Sequence, residues 1–319
     1  MNSLYNRDII SIGDLSKDEI QAVLSQASEF EQRLAHGERA ALGQLLLNRL
    51  LATVFYEPST RTRLSFESAM NRLGGRVLSV AEAKTSSSAA KGETIYDSGR
   101  MLEGYADAIV QRHPAVGSAR ALADAAGVPV INAGDGTGEH PTQALLDLYT
   151  IQREGASGAA LRPLDGLHVA MIGDLKNGRT VHSLSKALSH WKVDLSYVSP
   201  PELAMPRDVV SFVSGRGATV HESEKLAGVL KSADIVYVTR IQQERFNTVE
   251  EYMKYKGVYV VNAAVVAQAK PGVAIMHPLP RVDEIATDVD TLPNAAYFRQ
   301  AHNGVFVRMA LLAMVLGAV

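Results

Sequence analysis

The chain has 319 residues, of which 46% are hydrophobic and none is cysteine, and its formal net charge is −2. This length suits two domains of about 150 residues each, and the lack of cysteine excludes disulfides, iron–sulfur clusters, thiolate zinc sites and a cysteine nucleophile. The near-neutral charge argues against general nucleic-acid binding. Arginine nevertheless accounts for 21 of the 32 basic residues, and arginine binds carboxylates and phosphates through paired hydrogen bonds.

The first half of the chain alternates between strand-like and helix-like segments. Short apolar runs predict strands, and apolar residues at helical spacing predict helices. The predicted strands cover residues 50–56, 77–80, 108–111 and 128–131, and the predicted helices cover residues 15–34, 60–73, 94–105, 118–126 and 141–154. Residues 81–92 (AEAKTSSSAAKG) show no periodicity and predict a mobile loop.

The second half repeats this alternation after residues 155–164, a segment rich in Gly and Ala that is a candidate domain boundary. Its predicted strands cover residues 167–172, 194–198, 235–239, 258–262 and 273–276, with helices between most of them. Strands that alternate with helices predict an α/β fold of two domains, each a parallel sheet flanked by helices. We place these domains at residues 1–150 and 151–299, and we expect a C-terminal helix at about 300–319 to pack back on the first.

Neither end of the chain predicts a membrane segment. The N-terminus is polar and has no apolar signal core. The apolar run 304–319 contains Arg308 and falls short of the roughly 18 apolar residues that span a bilayer. We therefore expect a cytoplasmic protein with no membrane partner, whose last segment is a buried helix.

Ligands of open α/β sheets bind beyond the carboxyl ends of the strands. Six predicted strands are followed there by Arg, His, hydroxyl residues or Pro-rich turns, which together predict a strongly cationic cleft. The run Ser59-Thr60-Arg61-Thr62-Arg63 stands where a strand meets a helix, and free N–H groups and the helix dipole attract an anion at such a junction. Plain helix capping by Ser59 or Thr60 is the alternative, but the whole run favours a phosphate.

Other polar residues carry weaker signals. His140 and Gln143 are three residues apart at a predicted helix start, so both can face one ligand, although a single histidine is more often structural. Residues 173–178 (GDLKNG) lack the first Gly-x-Gly pair of a dinucleotide-binding turn, so we expect no nucleotide cofactor. No spacing of His or carboxylates predicts a metal site, and Lys91 on its own is typical of a solvated loop.

Seven motifs together resemble the catalytic chains of the aspartate carbamoyltransferase family, within the aspartate/ornithine carbamoyltransferase superfamily. The resemblance extends from about Arg7 to the C-terminus and shows no departure at the expected ligand positions. The motifs are residues 55–64 (FYEPSTRTRL), 91–93 (KGE), 112–114 (RHP), 132–143 (NAGDGTGEHPTQ), 173–184 (GDLKNGRTVHSL), 239–242 (TRIQ) and 277–288 (HPLPRVDEIATD).

The resemblance implies transfer of the carbamoyl group of carbamoyl phosphate to the α-amine of L-aspartate, which gives N-carbamoyl-L-aspartate and phosphate early in de novo pyrimidine (UMP) biosynthesis. It implies the same two-domain fold with the active site in the interdomain cleft, and no cofactor. It also implies a homotrimer, because the family's loop carrying Ser87 and Lys91 reaches into a neighbouring subunit's site. Of the serines Ser86 to Ser88 we choose Ser87, which lies four residues before Lys91. The sequence leaves open whether regulatory chains join a larger holoenzyme.

The resemblance also implies which residues meet each substrate. The implied carbamoyl phosphate ligands are Ser59, Thr60, Arg61, Thr62, Arg112, His140, Gln143 and the backbone of Leu279, with Pro280 in the cis form. The implied L-aspartate ligands are Lys91, Arg179, Arg240 and Gln242. For catalysis, we expect the developing oxyanion to accept hydrogen bonds from Thr62, Arg112 and His140. Arg61 would stabilise the departing phosphate, and Lys91 completes the catalytic set.

Two alternatives remain beside this prediction. Ornithine carbamoyltransferases share the phosphate-binding run but carry a cysteine in a His-Cys-Leu-Pro turn, whereas residues 277–280 here are His-Pro-Leu-Pro. The pair Arg179 and Arg240 also suits a second carboxylate better than the amine of ornithine. A phosphate-ligand binding protein or an inactive regulatory paralogue would be expected to lose some of the residues Lys91, Arg112 and His140, all of which are present.

Overall fold

The structure is a computed structural model that describes residues 3–155 and 160–319. It divides into two compact units. The first unit comprises the chain up to Tyr149 together with His302–Val319, and the second unit comprises Thr150–Ala301. The predicted boundary segment 155–164 lies just beyond the first division point, and its residues 156–159 fall outside the described part of the chain.

The first unit is built on a four-stranded parallel sheet with the order β2-β1-β3-β4. Central β1 is buried beyond its first residue, whereas the edge strand β2 has no fully buried residue, as expected for a sheet whose faces are covered and whose edge is open. The strands are β1 (Leu50–Phe55), β2 (Arg76–Val80), β3 (Ala108–His113) and β4 (Val130–Asp135).

Helices connect and cover these strands. Helix α1 begins two residues later than predicted because Ser16 and Glu19 form a capping box, in which each side chain accepts a hydrogen bond from the other residue's N–H. Its apolar residues Ile20, Val23 and Phe30 are fully buried, whereas Leu34, at the end of the same predicted face, is half-buried. The helices up to the first division point are α1 (Lys17–Ala35), α2 (Arg39–Leu42), α3 (Thr60–Arg72), α4 (Ala83–Ser86), α5 (Ile95–Leu102), α6 (Ser118–Ala123) and α7 (Pro141–Arg153).

The second unit is built on a five-stranded parallel sheet with the order β7-β6-β5-β8-β9. Its core contains Ile172, Val238, Ile275 and Tyr297, all fully buried. The two parallel sheets flanked by helices confirm the predicted α/β fold class. The strands are β5 (His168–Ile172), β6 (Asp194–Val198), β7 (Thr219–Ser223), β8 (Ile235–Val238) and β9 (Ala274–Met276).

The later helices are mostly short. They are α8 (Arg179–Leu188), α9 (Arg207–Gly215), α10 (Leu226–Leu230), α11 (Val249–Met253), α12 (Ala263–Val266) and α13 (Tyr297–Val315). Helix α13 begins in the second unit, and the chain from His302 onward belongs to the first. Short 3-10 helices lie at Ile12–Asp14, Ser88–Lys91, Pro201–Leu203, Gln243–Arg245 and Thr287–Val289. Within the described residues, no helix combines the length and apolar character that a membrane crossing needs.

In the second half, one predicted strand is wrong and one strand was not predicted. Residues 258–262 form no strand, and Val261 makes only an isolated bridge to Ile285, because a short apolar run by itself does not distinguish a strand from other buried segments. Conversely, β7 was not predicted from the sequence. This edge strand has no fully buried residue, so it lacks the apolar run that reveals a central strand.

Two predictions in the first half also differ from the structure. Residues 81–92, predicted to lack regular structure, contain α4 and the 3-10 helix Ser88–Lys91. The hydroxyl of Ser86 donates to the carbonyl of Ala81 at 2.6 Å, and such local bonds fold a polar segment without any apolar periodicity. Strand β4 begins two residues later than predicted and continues to Asp135, four residues beyond the predicted end of the strand at residue 131, into a segment for which no strand was predicted.

The strand order reverses once in each sheet. In the first unit the chain runs from β1 to β2 on one side and from β3 to β4 on the other, so the reversal lies between β1 and β3. In the second unit it lies between β5 and β8. Ligands of open α/β sheets bind at the carboxyl ends of strands beside such a reversal. A ligand-binding site is therefore expected in the segments that follow these four strands.

Candidate active site

The run after β1 forms the start of helix α3. Ser59 is the residue that precedes the helix, with φ −159° and ψ 82°, and its side chain makes no capping hydrogen bond within the described part of the chain. The first N–H groups of α3 therefore lack the side-chain acceptor that commonly satisfies one of them. An anion at this position can accept those hydrogen bonds and lies at the positive end of the helix dipole. The geometry favours anion binding over plain capping by Ser59.

Two arginines of this run have different surroundings. Arg63 donates from Nη1 to Glu67 Oε1 at 3.1 Å and to Ser79 Oγ at 3.0 Å, which ties α3 to the edge strand β2. The guanidinium of Arg61 makes no ion pair or hydrogen bond with any other described residue, and partial burial lowers its pKa. Thr62, which stands between these two arginines in the sequence, is buried. Arg63 is therefore structural, whereas Arg61 is available to a ligand.

Arg112 lies at the end of β3, beside the segment that leads into α3. Its Nε is 3.4 Å from Oε2 of Glu57, and its carbonyl accepts a hydrogen bond from Tyr56 N–H at 2.8 Å. Next to it, His113 accepts at Nδ1 from the N–H of Ala115 at 3.0 Å, and burial lowers the pKa of His113 while Glu57 acts to raise it. Arg112 is thus oriented by a carboxylate, and His113 serves the turn.

The loop after β4 is held by Asp135. Its Oδ1 accepts a hydrogen bond from Glu139 N–H at 2.7 Å. Gly136 has φ +56°, and a Cβ atom there would lie 2.3 Å from the carbonyl oxygen of Pro114, so only glycine suits this turn. The loop leads the chain to His140, the residue just before α7.

His140 and Gln143 lie together at the start of α7, as their spacing predicts. They are 3% and 9% exposed, and the Gln143 N–H donates to the His140 carbonyl at 3.0 Å. One turn further along, Asp147 accepts at Oδ1 from Gln143 Nε2 at 2.9 Å. A buried carboxylate therefore holds the amide of a predicted ligand residue.

Ser87 and Lys91 lie between β2 and α5. The hydroxyl of Ser87 donates to the Ala83 carbonyl at 2.5 Å and accepts from Ala89 N–H at 3.2 Å, which stabilises the local turns. Lys91 is exposed at the end of its 3-10 helix and forms no ion pair or hydrogen bond with another described residue. Its ammonium group is therefore available for an interaction outside these turns.

In the second unit, the chain after β5 turns at Gly173. Its φ is +115°, and a Cβ atom there would lie 2.3 Å from the carbonyl oxygen of Thr239. Asp174 is fully buried and accepts hydrogen bonds from the N–H of Asn177 at 3.0 Å and from its Nδ2 at 3.1 Å. These bonds fix the loop that ends at Arg179, the first residue of α8.

The segment after β8 contacts this loop. Gln242 donates from Nε2 to the carbonyl of Asn177 at 3.1 Å, and Arg240 lies half-buried two residues earlier. Because β5 and β8 are neighbours in the sheet, the structure brings Arg179, Arg240 and Gln242 to one edge of it. These are the three predicted L-aspartate ligands that belong to the second unit.

The segment after β9 forms the His-Pro-Leu-Pro turn. The Leu279–Pro280 peptide bond is cis, as expected, and Leu279 has φ +55°. Nδ1 of His277 accepts from Leu279 N–H at 2.8 Å, so the ring proton is on Nε2, which donates to Glu284 Oε1 at 2.7 Å. Burial acts to raise the pKa of Glu284, but the hydrogen bond from His277 brings it below its ordinary value. This pair holds the backbone of Leu279.

The supporting acids were not predicted. Glu57, Asp174 and Glu284 stand within quoted motifs, so their chemistry was visible, but nothing in their spacing indicates which residue each would contact. Asp147 follows Gln143 by four residues, and this helical spacing was the one signal that could have revealed a partner. Within residues 3–155 and 160–319, no group of three or more His, Asp or Glu side chains is placed to hold a metal ion.

The chain matches the models of a known family over most of its length. Residues 7–153 match the model of the aspartate/ornithine carbamoyltransferase carbamoyl-P binding domain, and residues 165–315 match the model of the Asp/Orn binding domain of the same family. The chain therefore belongs to the aspartate/ornithine carbamoyltransferase family, which confirms the predicted resemblance.

Individual relatives are similar over nearly the whole chain. The aspartate carbamoyltransferase catalytic subunit of Thermococcus onnurineus is 52% identical over 314 residues, which cover 98% of this chain and 97% of the relative. The catalytic subunit of M. jannaschii aspartate transcarbamoylase has a similar solved structure, with TM-score 0.88, 48% identity and 98% of each chain covered. The Trypanosoma cruzi aspartate transcarbamoylase, solved with carbamoyl phosphate and aspartate, gives TM-score 0.91 at 39% identity, covering 99% of this chain and 98% of that one.

Proposed function

We propose that this chain transfers the carbamoyl group of carbamoyl phosphate to the α-amine of L-aspartate, which gives N-carbamoyl-L-aspartate and phosphate early in de novo pyrimidine (UMP) biosynthesis. The observation that carries this proposal is the uncapped start of α3, where Arg61 has no protein partner among the described residues. Relatives named aspartate carbamoyltransferase at about half identity over nearly the full chain support the choice of substrates.

The phosphate group binds at the start of α3. Backbone N–H groups and the hydroxyls of Ser59, Thr60 and Thr62 supply hydrogen-bond donors, and Arg61 supplies positive charge. The carbamoyl end meets Arg112, His140, Gln143 and the backbone of Leu279. Since Arg112 lies beside Glu57 and Gln143 is held by Asp147 before the substrate arrives, these two groups need little reorganisation during the reaction.

The reaction needs no covalent intermediate with the protein. The neutral amine of aspartate attacks the carbamoyl carbon, a C–N bond forms, and the C–O bond to phosphate breaks. A phosphate oxygen takes the proton that the amine loses, so the products are N-carbamoyl-L-aspartate and hydrogen phosphate. Holding both substrates in this geometry lowers the barrier by roughly 7–11 kcal/mol.

Charge develops on two groups as the amine attacks. The carbonyl oxygen becomes an oxyanion, which accepts hydrogen bonds from Thr62, Arg112 and His140, each worth about 3–4 kcal/mol when preorganised. Arg61 stabilises the negative charge of the departing phosphate. Arg112 keeps its orientation through Glu57, 3.4 Å from its Nε.

The carboxylates of L-aspartate bind to the cationic residues of the second unit. Arg179 and Arg240 bind them, with Gln242 beside Arg240, and Lys91 completes the set. In this proposal residues 1–150 with the C-terminal helix form the carbamoyl phosphate-binding domain, and residues 151–299 form the aspartate-binding domain. The active site in the interdomain cleft then draws residues from both.

The active unit in this proposal is a homotrimer in the cytoplasm. Lys91 is exposed and makes no ion pair or hydrogen bond with another described residue of its own chain, which suits a side chain that completes a neighbouring subunit's site. Ser87 belongs to the same segment. Regulatory chains would bind outside this shared site, and native mass measured for the purified chain and in cell extract distinguishes the trimer from a larger holoenzyme.

The direct test is formation of a ureido product from carbamoyl phosphate with L-aspartate or with L-ornithine as acceptor. We expect saturable activity with aspartate and background activity with ornithine. Activity with ornithine only would favour the ornithine carbamoyltransferase alternative. Activity with neither acceptor would favour a binding protein.

A further inference from the structure

A buried arginine on α13 contacts the start of α7. Arg308, on α13, is 3% exposed. It donates from Nη1 to Ser65 Oγ at 2.9 Å and from Nη2 to Thr142 Oγ1 at 3.3 Å, and its guanidinium carbon lies 4.9 Å from the centre of the Phe66 ring. Two hydroxyls and an aromatic face do not neutralise a cation, and a buried charge without a counter-charge is costly.

Asp147, fully buried on α7, is an acid whose negative charge acts on Arg308. Burial lowers the pKa of Arg308 to about 10, and the negative charge of Asp147 acts against this lowering. The same carboxylate accepts the hydrogen bond from Gln143 Nε2 at 2.9 Å. One buried anion therefore connects a cation on α13 with an amide that the proposed function places against carbamoyl phosphate.

The chemistry of Asp147 decides which way the Gln143 amide points. An ionised carboxylate only accepts hydrogen bonds, so it must face the NH2 group of the amide and not its oxygen. The amide oxygen Oε1 then lies on the other side of the amide carbon from the bonded nitrogen. Without a charged partner, an amide at this position has no comparable preference between its two orientations.

We propose that Asp147 is a positioning residue, which holds Gln143 so that its Oε1 accepts a hydrogen bond from the NH2 group of carbamoyl phosphate. This inference rests on the proposed function. With the amide reversed, two NH2 groups would face each other, and two donors cannot form a hydrogen bond. Asp147 therefore selects a carbamoyl group over an acyl group that has a methyl in place of the NH2.

The test compares three ligands that share the phosphate end and differ at the other end. For the full-length protein and Asp147→Asn we would measure KM for carbamoyl phosphate and the competitive inhibition constants of acetyl phosphate and inorganic phosphate. The variant keeps the size of the side chain but no longer dictates the orientation of Gln143. We expect KM to rise about tenfold, as for the loss of one hydrogen bond, and both inhibition constants to change by less than about twofold.

Three further variants separate positioning from general damage. Ser65→Ala removes one hydrogen bond of Arg308 but leaves the contact between Asp147 and Gln143, so we expect a lower Tm and an unchanged ratio of KM to the inhibition constants. Gln143→Met should reproduce the change in that ratio. If Asp147→Asn alone does not fold, the double variant with Arg308→Met removes both buried charges and is measured instead.

Equal changes in all three constants for Asp147→Asn would overturn the positioning role, and so would an unchanged ratio in Gln143→Met. Failure of the proposed function has a different signature, because the unmodified protein would then form no ureido product with aspartate. The two failures are therefore distinguishable in one set of assays.

Discussion

The two units prepare their predicted binding residues in different ways. In the first unit the start of α3 has no side-chain cap, and Arg61 has no bonded partner among the described residues. In the second unit the loop after β5 is bonded internally through Asp174 and Asn177, and Gln242 joins it from the segment after β8. The proposed phosphate site at the start of α3 is thus left open, whereas the loops of the proposed aspartate site are held by their own side chains.

The two units differ because a helix start and loop arginines supply binding energy in different ways. A helix start carries free N–H groups and a dipole whatever its side chains are, so it needs only an unobstructed approach and a cation. Arginines on loops have no such fixed field, and they lose less entropy on binding when the loops are already ordered. We expect substitutions of single cations in the first unit to affect catalysis, and those in the second unit to affect substrate affinity.

The largest expected effect is that of Arg61→Ala. Loss of its charge from the departing phosphate should lower kcat by about 10²–10³-fold, the size found for a single preorganised donor in a transition state. Arg63→Ala is the matched control on the same helix turn, because Arg63 bonds to Glu67 and Ser79. It should reduce Tm more than kcat. A near-normal kcat for Arg61→Ala would contradict the open phosphate site.

The next effect is that of Arg240→Ala on L-aspartate. Loss of a charged hydrogen bond to a carboxylate should raise KM for aspartate roughly ten- to hundredfold, while KM for carbamoyl phosphate changes little. Arg245→Ala, five residues along the same segment and exposed, is the control and should leave both constants unchanged. A rise confined to carbamoyl phosphate would reverse the assignment of substrates to the two units.

Mixing inactive variants tests whether Lys91 acts in a neighbouring subunit. In the proposed trimer, Lys91→Gln and Arg61→Ala should each be inactive on their own. When unfolded, mixed in equal amounts and refolded together, about a quarter of the sites receive both native residues, because each subunit of a ring meets the next one in the same way. Activity that stays at the level of the separate variants would contradict a shared site.

The smallest expected effect is on stability, at the turn after β9. The pKa of Glu284 lies below its ordinary value of 4.5 in the folded chain. Its contribution is therefore complete above that pH and is lost as the pH falls through the folded-state value. Glu284→Gln should lower the free energy of unfolding at neutral pH by about 1.5–3 kcal/mol, the range for hydrogen bonds to charged groups.

Urea unfolding of the unmodified chain and of Glu284→Gln, at about pH 7 and about pH 3, measures the contribution of Glu284 to stability. The unmodified chain should lose more stability between these pH values than Glu284→Gln does. Glu222→Gln is the control, because its pair with Arg207 at 2.7 Å is exposed and exposed pairs contribute about 0–1 kcal/mol. Equal losses of stability in Glu284→Gln and Glu222→Gln would show that the bond between Glu284 and His277 does not hold the turn.

The sequence was most informative where structure is local. Strand β1 and the helix after it were predicted because an apolar run, a Pro and a run of hydroxyl and Arg residues follow one another directly. Strand β7 was not predicted, because an edge strand with exposed side chains has no periodic apolar signal. Within the site, ligand types were visible in the motifs, and their orienting partners were not.

The contacts of Arg308 show why. Arg308 lies 166 residues from Thr142 in sequence, and only folding brings its guanidinium within hydrogen-bond distance of that hydroxyl. The bond from Gln143 to Asp147 spans one helical turn and is in principle readable from spacing. Contacts between distant segments depend on the tertiary fold, which no local pattern encodes.

The most direct test of the central claim is a crystal structure of this protein with N-(phosphonacetyl)-L-aspartate, the compound bound in one solved T. cruzi relative. It joins a phosphonate to an aspartate. We predict that the phosphonate accepts hydrogen bonds from N–H groups at the start of α3 and from Arg61, and that the carboxylates meet Arg179 and Arg240. A phosphonate bound away from α3 would contradict the proposed site.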